Sequence, residues 1–372
     1  IRRQRQMCIR DSLGPVRFKI ARHFGFCYGV ENAIEITYGA LKENPGRRVF
    51  LLSEMIHNPH VNADLKARGV EFLQETDGTV RIPIRDLRPT DIVIVPAFGT
   101  TFEMLKELEE IGLEKRIYNA TCPFVEKVWN RSHELGQKGY TIIIHGKHYH
   151  EETRATFSQA RLQAPALIIR DMKEAELLGK YIRGEGSPED FGIDFADKYS
   201  ADFDPTLHLK RIGVVNQTTM LASDTRAISK YLRDVMEAHY GREELRYHFA
   251  DTRDTLCYAT SENQDAVKAL LESSGHLALV IGGYNSSNTS HLHKLMAARL
   301  PSYYIKDAEE ILNLDEIRCL EQGKIVERKG WFPGERPLEI LLTAGATSPD
   351  ALVDQVIQRI ADLCGTKIPD VS

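Results

Sequence analysis

The sequence predicts an α/β protein with parallel-type sheets, in a roughly threefold arrangement with one cysteine per unit. Two observations carry this prediction. From Val16 onward, short β-branched runs alternate with amphipathic helical stretches to the end of the chain, the pattern of strand–helix units. Three of the six cysteines, Cys27, Cys122 and Cys257, then fall at one topological point: each follows a predicted strand and opens a predicted helix.

Taken in order, the first strand is Arg17–His23. Phe24-Gly-Phe-Cys27-Tyr-Gly-Val follows it and leads into a helix over Glu31–Leu41. Strands at Val49–Glu54 and Asp91–Pro96 come next, being β-branched and short. Asn119-Ala-Thr-Cys122-Pro-Phe then opens a helix over Val125–Gly139. Tyr140–His145 and Arg211–Asn216 are the next strands. Thr255-Leu-Cys257-Tyr-Ala-Thr opens a helix over Glu262–Ser273, and strands at His276–Gly282 and Glu339–Thr343 precede a terminal helix over Asp350–Leu363. Two stretches break the pattern. Gly184 to Pro205 is acidic, with Gly, Ser and Pro and only scattered apolar residues, and reads as a surface insertion. The first residues, Ile-Arg-Arg-Gln-Arg-Gln-Met-Cys, are basic and aperiodic, and read as a non-native or disordered extension over residues 1–15 in which Cys8 has no role.

With 372 residues, the chain is longer than one typical domain and can bury a sizeable core. It is 42% hydrophobic and 27% charged, and no apolar run reaches membrane-spanning length, so no membrane segment is expected. A net charge of −5 gives no electrostatic footprint for nucleic acid, which favours a small ligand or a protein partner. Six scattered cysteines without a secretory signal point to a reducing, cytoplasmic-type compartment.

Cys27 and Cys122 are 95 residues apart, and Cys122 and Cys257 are 135 apart. In parallel α/β units, the carboxyl ends of strands and amino ends of helices are where ligands bind. Thiolates at helix N-termini have lowered pKa values and bind soft metals. One such cysteine alone is more often an ordinary core residue, but agreement of three positions argues for a shared task. Structural zinc would want a fourth ligand and commonly uses Cys-x-x-Cys pairs, which the chain lacks. A [4Fe–4S] cube held by three cysteines leaves one iron open to act as a Lewis acid. Cys319 and Cys364 read as packing residues, Cys364 lying on the apolar stripe of the terminal helix.

Other strand-to-helix junctions carry hydroxyl, amide and imidazole groups: His57-Asn58, Gln217-Thr218-Thr219, Ser286-Ser287-Asn288 and Ala344-Gly-Ala-Thr347-Ser348-Pro-Asp350. Each taken singly is as readily a helix cap. Together with helix-start N–H groups they suit a buried anion such as a diphosphate, and no Walker loop competes for that task. The densest titratable cluster is His145-Gly-Lys-His148-Tyr-His150-Glu151-Glu152. Its histidines could chelate zinc or sit in a solvated loop. Glu152, buried beside an anion, is the candidate proton donor.

These motifs in combination resemble the 4-hydroxy-3-methylbut-2-enyl diphosphate reductase (LytB/IspH) family: Gly25-Phe-Cys27-Tyr-Gly-Val, His57-Asn, Ala120-Thr-Cys122-Pro, His150-x-Glu152, Gln217-Thr218-Thr219, Cys257-Tyr-Ala-Thr, Asn285-Ser-Ser-Asn288 and Ala344-Gly-Ala-x-x-Pro-Asp350. The resemblance runs from about Phe18 to Cys364. It implies a three-lobed, pseudo-threefold arrangement of α/β domains around a central iron–sulfur cluster. Residues 16–27 would complete the third lobe, 28–121 form the first, 122–245 the second with its insertion at 184–205, and 246–364 the third, ahead of a tail at 365–372. It further implies one [4Fe–4S] cluster per chain on Cys27, Cys122 and Cys257, a proton from Glu152, and a hydrogen bond from Thr218 to the substrate hydroxyl. His57, His150, Ser286, Ser287, Asn288 and Thr347 would grip the diphosphate. Ferredoxin or flavodoxin would donate electrons, in the cytoplasm or, for a photosynthetic eukaryote, the plastid stroma. The implied reaction reductively removes the hydroxyl as water, giving isopentenyl and dimethylallyl diphosphates.

Two positions depart from the family pattern. Phe98 stands where many bacterial members have histidine, as in plastid and cyanobacterial members, and Thr347 replaces a serine, with Ser348 as the alternative hydroxyl. Two rivals remain: a cluster-based sensor, which needs neither an anion site nor Glu152, and a quinolinate-synthase-like cluster enzyme, whose motifs are not evident.

Overall fold

The computed structural model describes residues 9–13, 16–250, 255–335 and 337–366. Cys8 and most of the tail lie outside them. Among the described residues, the strands make one five-stranded sheet, two four-stranded sheets and a hairpin. Contacts divide the chain into two compact units: one made of the chain up to Val30, His57–His60 and Tyr258 onward, the other of Glu31–Ile56 and Val61–Cys257.

The first unit holds the five-stranded sheet, in the order Ile9–Leu13, Val16–Ile20, Leu338–Ala344, Leu277–Ile281, Ser302–Ile305. All neighbours are parallel except the first pair. Leu277–Ile281 and Leu338–Ala344 are buried along their whole lengths, as expected of strands covered on both faces. Residues 9–13 lie within the stretch expected as a non-native or disordered extension; their backbone pairs with the edge of the sheet, Ile9 opposite Lys19 and Leu13 opposite Val16. The hairpin Glu316–Glu321 and Lys324–Lys329 belongs to the same unit.

The second unit contains two fully parallel sheets. One has the order Val70–Phe72, Val49–Leu51, Ile92–Val95, Ile117–Asn119, and the other Phe249–Ala250, Ile212–Asn216, Thr141–His145, Ala166–Ile169. Register brings the carboxyl ends level: Leu51 lies opposite Ile94, and His145 opposite Asn216. The acidic stretch 184–205 is more than a surface insertion. Phe191 and Phe195 are fully buried, Phe191 stacks on Phe203 with ring centroids 5.3 Å apart, and the Tyr181 hydroxyl donates to Asp194 at 2.6 Å. Its carboxylates face outward while its few aromatics complete the core behind the sheet. Among the described residues, no helix is long and apolar enough to cross a membrane.

One ion cluster makes a measurable prediction. Glu339, nearly buried, takes hydrogen bonds from Ser274 and Lys19, and Arg17 lies 3.2 Å away. The Ser274 hydroxyl and Lys19 ammonium hold its carboxyl down to about 2. A depressed carboxylate stabilises the fold above its unfolded value and loses that contribution as pH falls towards its folded one. Glu339→Gln is thus expected to cost about 2 kcal/mol near pH 7, discounted because Arg17 is partly exposed. In denaturant titrations, the gap from wild type should close between about pH 5 and pH 2; a pH-independent gap would exclude the electrostatic cause.

Candidate active site

The three cysteines share more than their sequence position. Cys27 immediately precedes the helix Tyr28–Glu43, Cys122 is the N-cap of Pro123–Gln137, and Cys257 precedes Tyr258–Leu270. All three are half-buried. Each donates its backbone N–H to a carbonyl two residues past the end of a sheet strand: Cys27 to Ala346 at 3.2 Å, Cys122 to Ala97 at 2.9 Å, and Cys257 to Thr218 at 3.2 Å. The same backbone clasp holds each thiol at the same kind of junction, where helix N–H groups favour negative charge. Cys257 has a further anchor, since Thr255 Oγ1 donates to Asn216 O and Thr255 N–H to Asn216 Oδ1, both at 2.9 Å.

Gly25 explains how the chain reaches Cys27. Its φ is +87°, and a Cβ there would run into Asp350 Oδ1 at the start of the terminal helix. Gly25→Ala is expected to lower stability by on the order of 2 kcal/mol, because the backbone is strained for an L side chain and the carboxylate must move. A denaturant midpoint equal to wild type would show that the turn relaxes.

In the second unit, Glu152 lies in the first turn of the helix Glu151–Arg161 and is 1% exposed. Its carboxylate accepts twice from Thr218, at Oε1 from the backbone N–H (2.5 Å) and at Oε2 from the hydroxyl (2.9 Å). His150 caps the same helix, its Nδ1 accepting the Glu152 N–H at 3.2 Å. That places the ring proton of a neutral His150 on Nε2. Phe98 meets the His150 ring edge-on, centroids 5.7 Å apart, so it packs the imidazole where a histidine would have offered a second donor. Gln217 braces the junction: its Oε1 accepts from Lys147 N–H (3.2 Å) and Thr153 Oγ1 (3.1 Å). Burial lowers the Lys147 ammonium from its ordinary value. His148 is exposed, while His145 is buried with Nδ1 3.2 Å from Thr225 Oγ1.

The first unit gathers a different set. Ser286 caps the helix Ser287–Ala297; its Oγ accepts from the Thr289 N–H (3.3 Å) and hydroxyl (3.0 Å), leaving its own proton to donate elsewhere. Asn288 Oδ1 accepts the Ala346 N–H at 3.1 Å. The Asn288 Nδ2 and Ser287 Oγ are buried without a hydrogen-bond partner. Buried orphan donors at a helix N-terminus fit an anion that completes them. His57, 4% exposed, lies in the same unit. The Thr347 hydroxyl donates to His57 O at 3.2 Å, and its own carbonyl accepts from Asn58 Nδ2 at 2.7 Å. Ser348 is fully buried, bonded to Ile281 O at 3.3 Å. Sequence reasoning missed the Asn58–Thr347 tie, the Asn216–Thr255 pin and the Asp350 contact, none of which carries a local signal.

Strand-to-helix junctions that present thiols, a buried carboxylate and orphan anion donors define an α/β protein of the ligand-binding, catalytic type. A family model described as LytB protein matches residues 18–361. The 4-hydroxy-3-methylbut-2-enyl diphosphate reductase of Cyanothece sp. is 39% identical over 359 residues, covering 96% of this chain and 87% of that relative. The protein of the same name from Picosynechococcus sp. is 40% identical over 349 residues, with 93% and 84% covered. A solved structure of (E)-4-hydroxy-3-methyl-but-2-enyl diphosphate reductase, the terminal enzyme of the non-mevalonate pathway, superposes with a TM-score of 0.55 at 26% identity, covering 93% of this chain and 99% of that one. The Plasmodium falciparum E-1-hydroxy-2-methyl-but-2-enyl-4-diphosphate reductase shares the fold, with a TM-score of 0.64 at 21% identity over 93% and 87% of the two chains. The chain belongs to the LytB protein family.

Proposed function

We propose that the chain is a 4-hydroxy-3-methylbut-2-enyl diphosphate reductase, which removes the substrate hydroxyl as water and yields isopentenyl and dimethylallyl diphosphates at the end of the non-mevalonate isoprenoid pathway. The observation that carries this reading is the buried Glu152 carboxylate clasped twice by Thr218, in a chain alike along its length to reductases of that name. Per turnover, one C–O bond breaks, one C–H bond forms, and two electrons and two protons enter.

A [4Fe–4S] cluster, one per chain on Cys27, Cys122 and Cys257, fits the donor chemistry: three half-buried thiols at helix starts, each held by the same backbone clasp. Among the described residues, no group of three or more His, Cys, Asp or Glu side chains gathers around a single-ion site. A cube asks for none, since it takes each thiolate at a different iron. When bound, the cluster would pass electrons from a ferredoxin- or flavodoxin-type donor and offer one open iron as a Lewis acid.

The remaining work falls to side chains. Ser286, Ser287, Asn288, His57 and His150 are the donors we assign to the diphosphate; Thr347, whose proton goes to His57 O, fixes His57. While Glu152 is ionised, Thr218 donates to it. Once Glu152 is protonated, the carboxyl proton can go to Thr218 Oγ1, which frees the threonine proton for the substrate oxygen. The pair is thus a two-step proton path to the leaving hydroxyl.

Protein purified anaerobically is expected to be brown, to bind about four irons, and to consume 4-hydroxy-3-methylbut-2-enyl diphosphate with a reduced viologen dye. Colourless protein with one zinc would remove the cluster. An intact cluster without turnover would favour the sensor reading.

A further inference from the structure

His57–His60 belongs to the first compact unit although the chain on either side of it belongs to the second. Such a short segment must be held by specific ties. Thr347 grips the His57 carbonyl, Asn58 Nδ2 reaches Thr347 O, and Gly283 packs directly against His57 O, leaving no room for a side chain. Asn58 Oδ1 accepts the His60 N–H at 2.9 Å, starting the helix Pro59–Ala67. At the far end, His60 Nε2 lies 3.1 Å from Asp307 Oδ2.

Asp307 is 3% exposed, and a buried carboxylate needs partners. Its Oδ1 accepts the Glu309 N–H at 3.0 Å. Its Oδ2 has Lys306 Nζ at 3.8 Å, too far for a hydrogen bond, and His60 within reach. The neighbouring Lys306 and Arg318 are taken up by the buried Glu310, at 3.4 and 3.0 Å. Asp307 therefore draws His60 in, and His60, in the first turn of the helix, fixes the backbone from which the His57 side chain projects.

We propose that His60 and Asp307 form a positioning pair for the diphosphate site, acting through His57 and touching no substrate. The proposal rests on the reading of His57 as a diphosphate donor. Losing a hydrogen bond to a buried charge would leave His57 ill-placed while Glu152 and Thr218 keep their geometry. His60→Ala is expected to raise KM for 4-hydroxy-3-methylbut-2-enyl diphosphate by about tenfold with kcat within about twofold of wild type. The Kd for inorganic diphosphate should weaken by a similar factor, with iron content unchanged. Asp307→Asn keeps the Glu309 cap acceptor and should reproduce the KM effect even if His60→Ala folds poorly. His60→Gln, which retains an N–H donor, should recover most of the loss. If His57→Ala raises KM while folded His60→Ala or Asp307→Asn leaves it unchanged, or lowers kcat instead, the positioning role is wrong. If His57→Ala itself has no effect on KM, the underlying assignment of His57 is what fails.

Discussion

Glu152→Gln is expected to reduce turnover by about a thousandfold while leaving the brown colour, the iron content and the thermal midpoint at wild-type values. Glutamine has nearly the shape of glutamate, and its Oε1 can still accept the Thr218 N–H that now sits 2.5 Å from the carboxylate. The second contact changes sense. An amide nitrogen in place of Oε2 can only donate, so the Thr218 hydroxyl must turn away, and no titratable proton remains on either group. Removing a positioned acid costs two to four orders of magnitude in typical cases. Thr218→Val tests the path from its other end, keeping side-chain shape and losing the hydroxyl. It should also be slow, and combining it with Glu152→Gln should add little, because the two act as one unit. Wild-type rates of dye oxidation in Glu152→Gln would remove the glutamate from the chemistry.

Replacing any one of Cys27, Cys122 or Cys257 with alanine is expected to drop bound iron from about four per chain to below about one and to bleach the visible absorption. A cube held by three thiolates cannot spare one, as the open iron already lacks a protein ligand. Cys319→Ala and Cys364→Ala are the controls. Burial and the nearby Glu321 push the Cys319 thiol up to about 11, so it stays protonated and packs as an apolar group. Cys364 caps the terminal helix and packs against the core of its unit. Both variants should keep their iron. Chelation of iron from wild type should abolish turnover with the dye and leave the secondary structure in place, since the three large sheets are closed by apolar packing. Loss of iron from Cys319→Ala with retention in Cys122→Ala would overturn the ligand assignment.

The elements with long apolar runs were legible in the sequence. The terminal helix falls on Asp350–Leu363 as periodicity predicts, and the strand at Thr141–His145 differs by one residue from its expected start. Three-residue strands such as Val70–Phe72 and Ile117–Asn119 were not, because a run so short has no period to detect; pairing with a neighbour creates them. The acidic stretch misled for a related reason: charge dominates its composition, while its burial is decided by a few aromatics, Phe191 and Phe195 foremost. At the site, residue types told which groups could act. How they are held was hidden, because the Asn216–Thr255, Thr347–His57 and His60–Asp307 ties join residues 39, 290 and 247 positions apart. Thr347 is an example: its motif suggests a ligand, and the tie its hydroxyl makes to the His57 carbonyl has no local signal.

Gly282, Gly283 and Gly345 lie close against their neighbours, and a methyl on any of them would strike Thr289, Ser348 or the His57 carbonyl. Three positions that present no chemistry are thus as constrained as the residues that do. In a saturation-mutagenesis selection for growth on this pathway, they should form a band of near-total intolerance beside the helix Ser287–Ala297, rejecting even alanine, whereas glycines with open space around them, such as Gly39 and Gly334, should accept substitution. Scored by phenotype alone, that band would pass for a second set of catalytic residues; it marks instead how little slack the backbone has where it packs against Thr289, Ser348 and the His57 carbonyl.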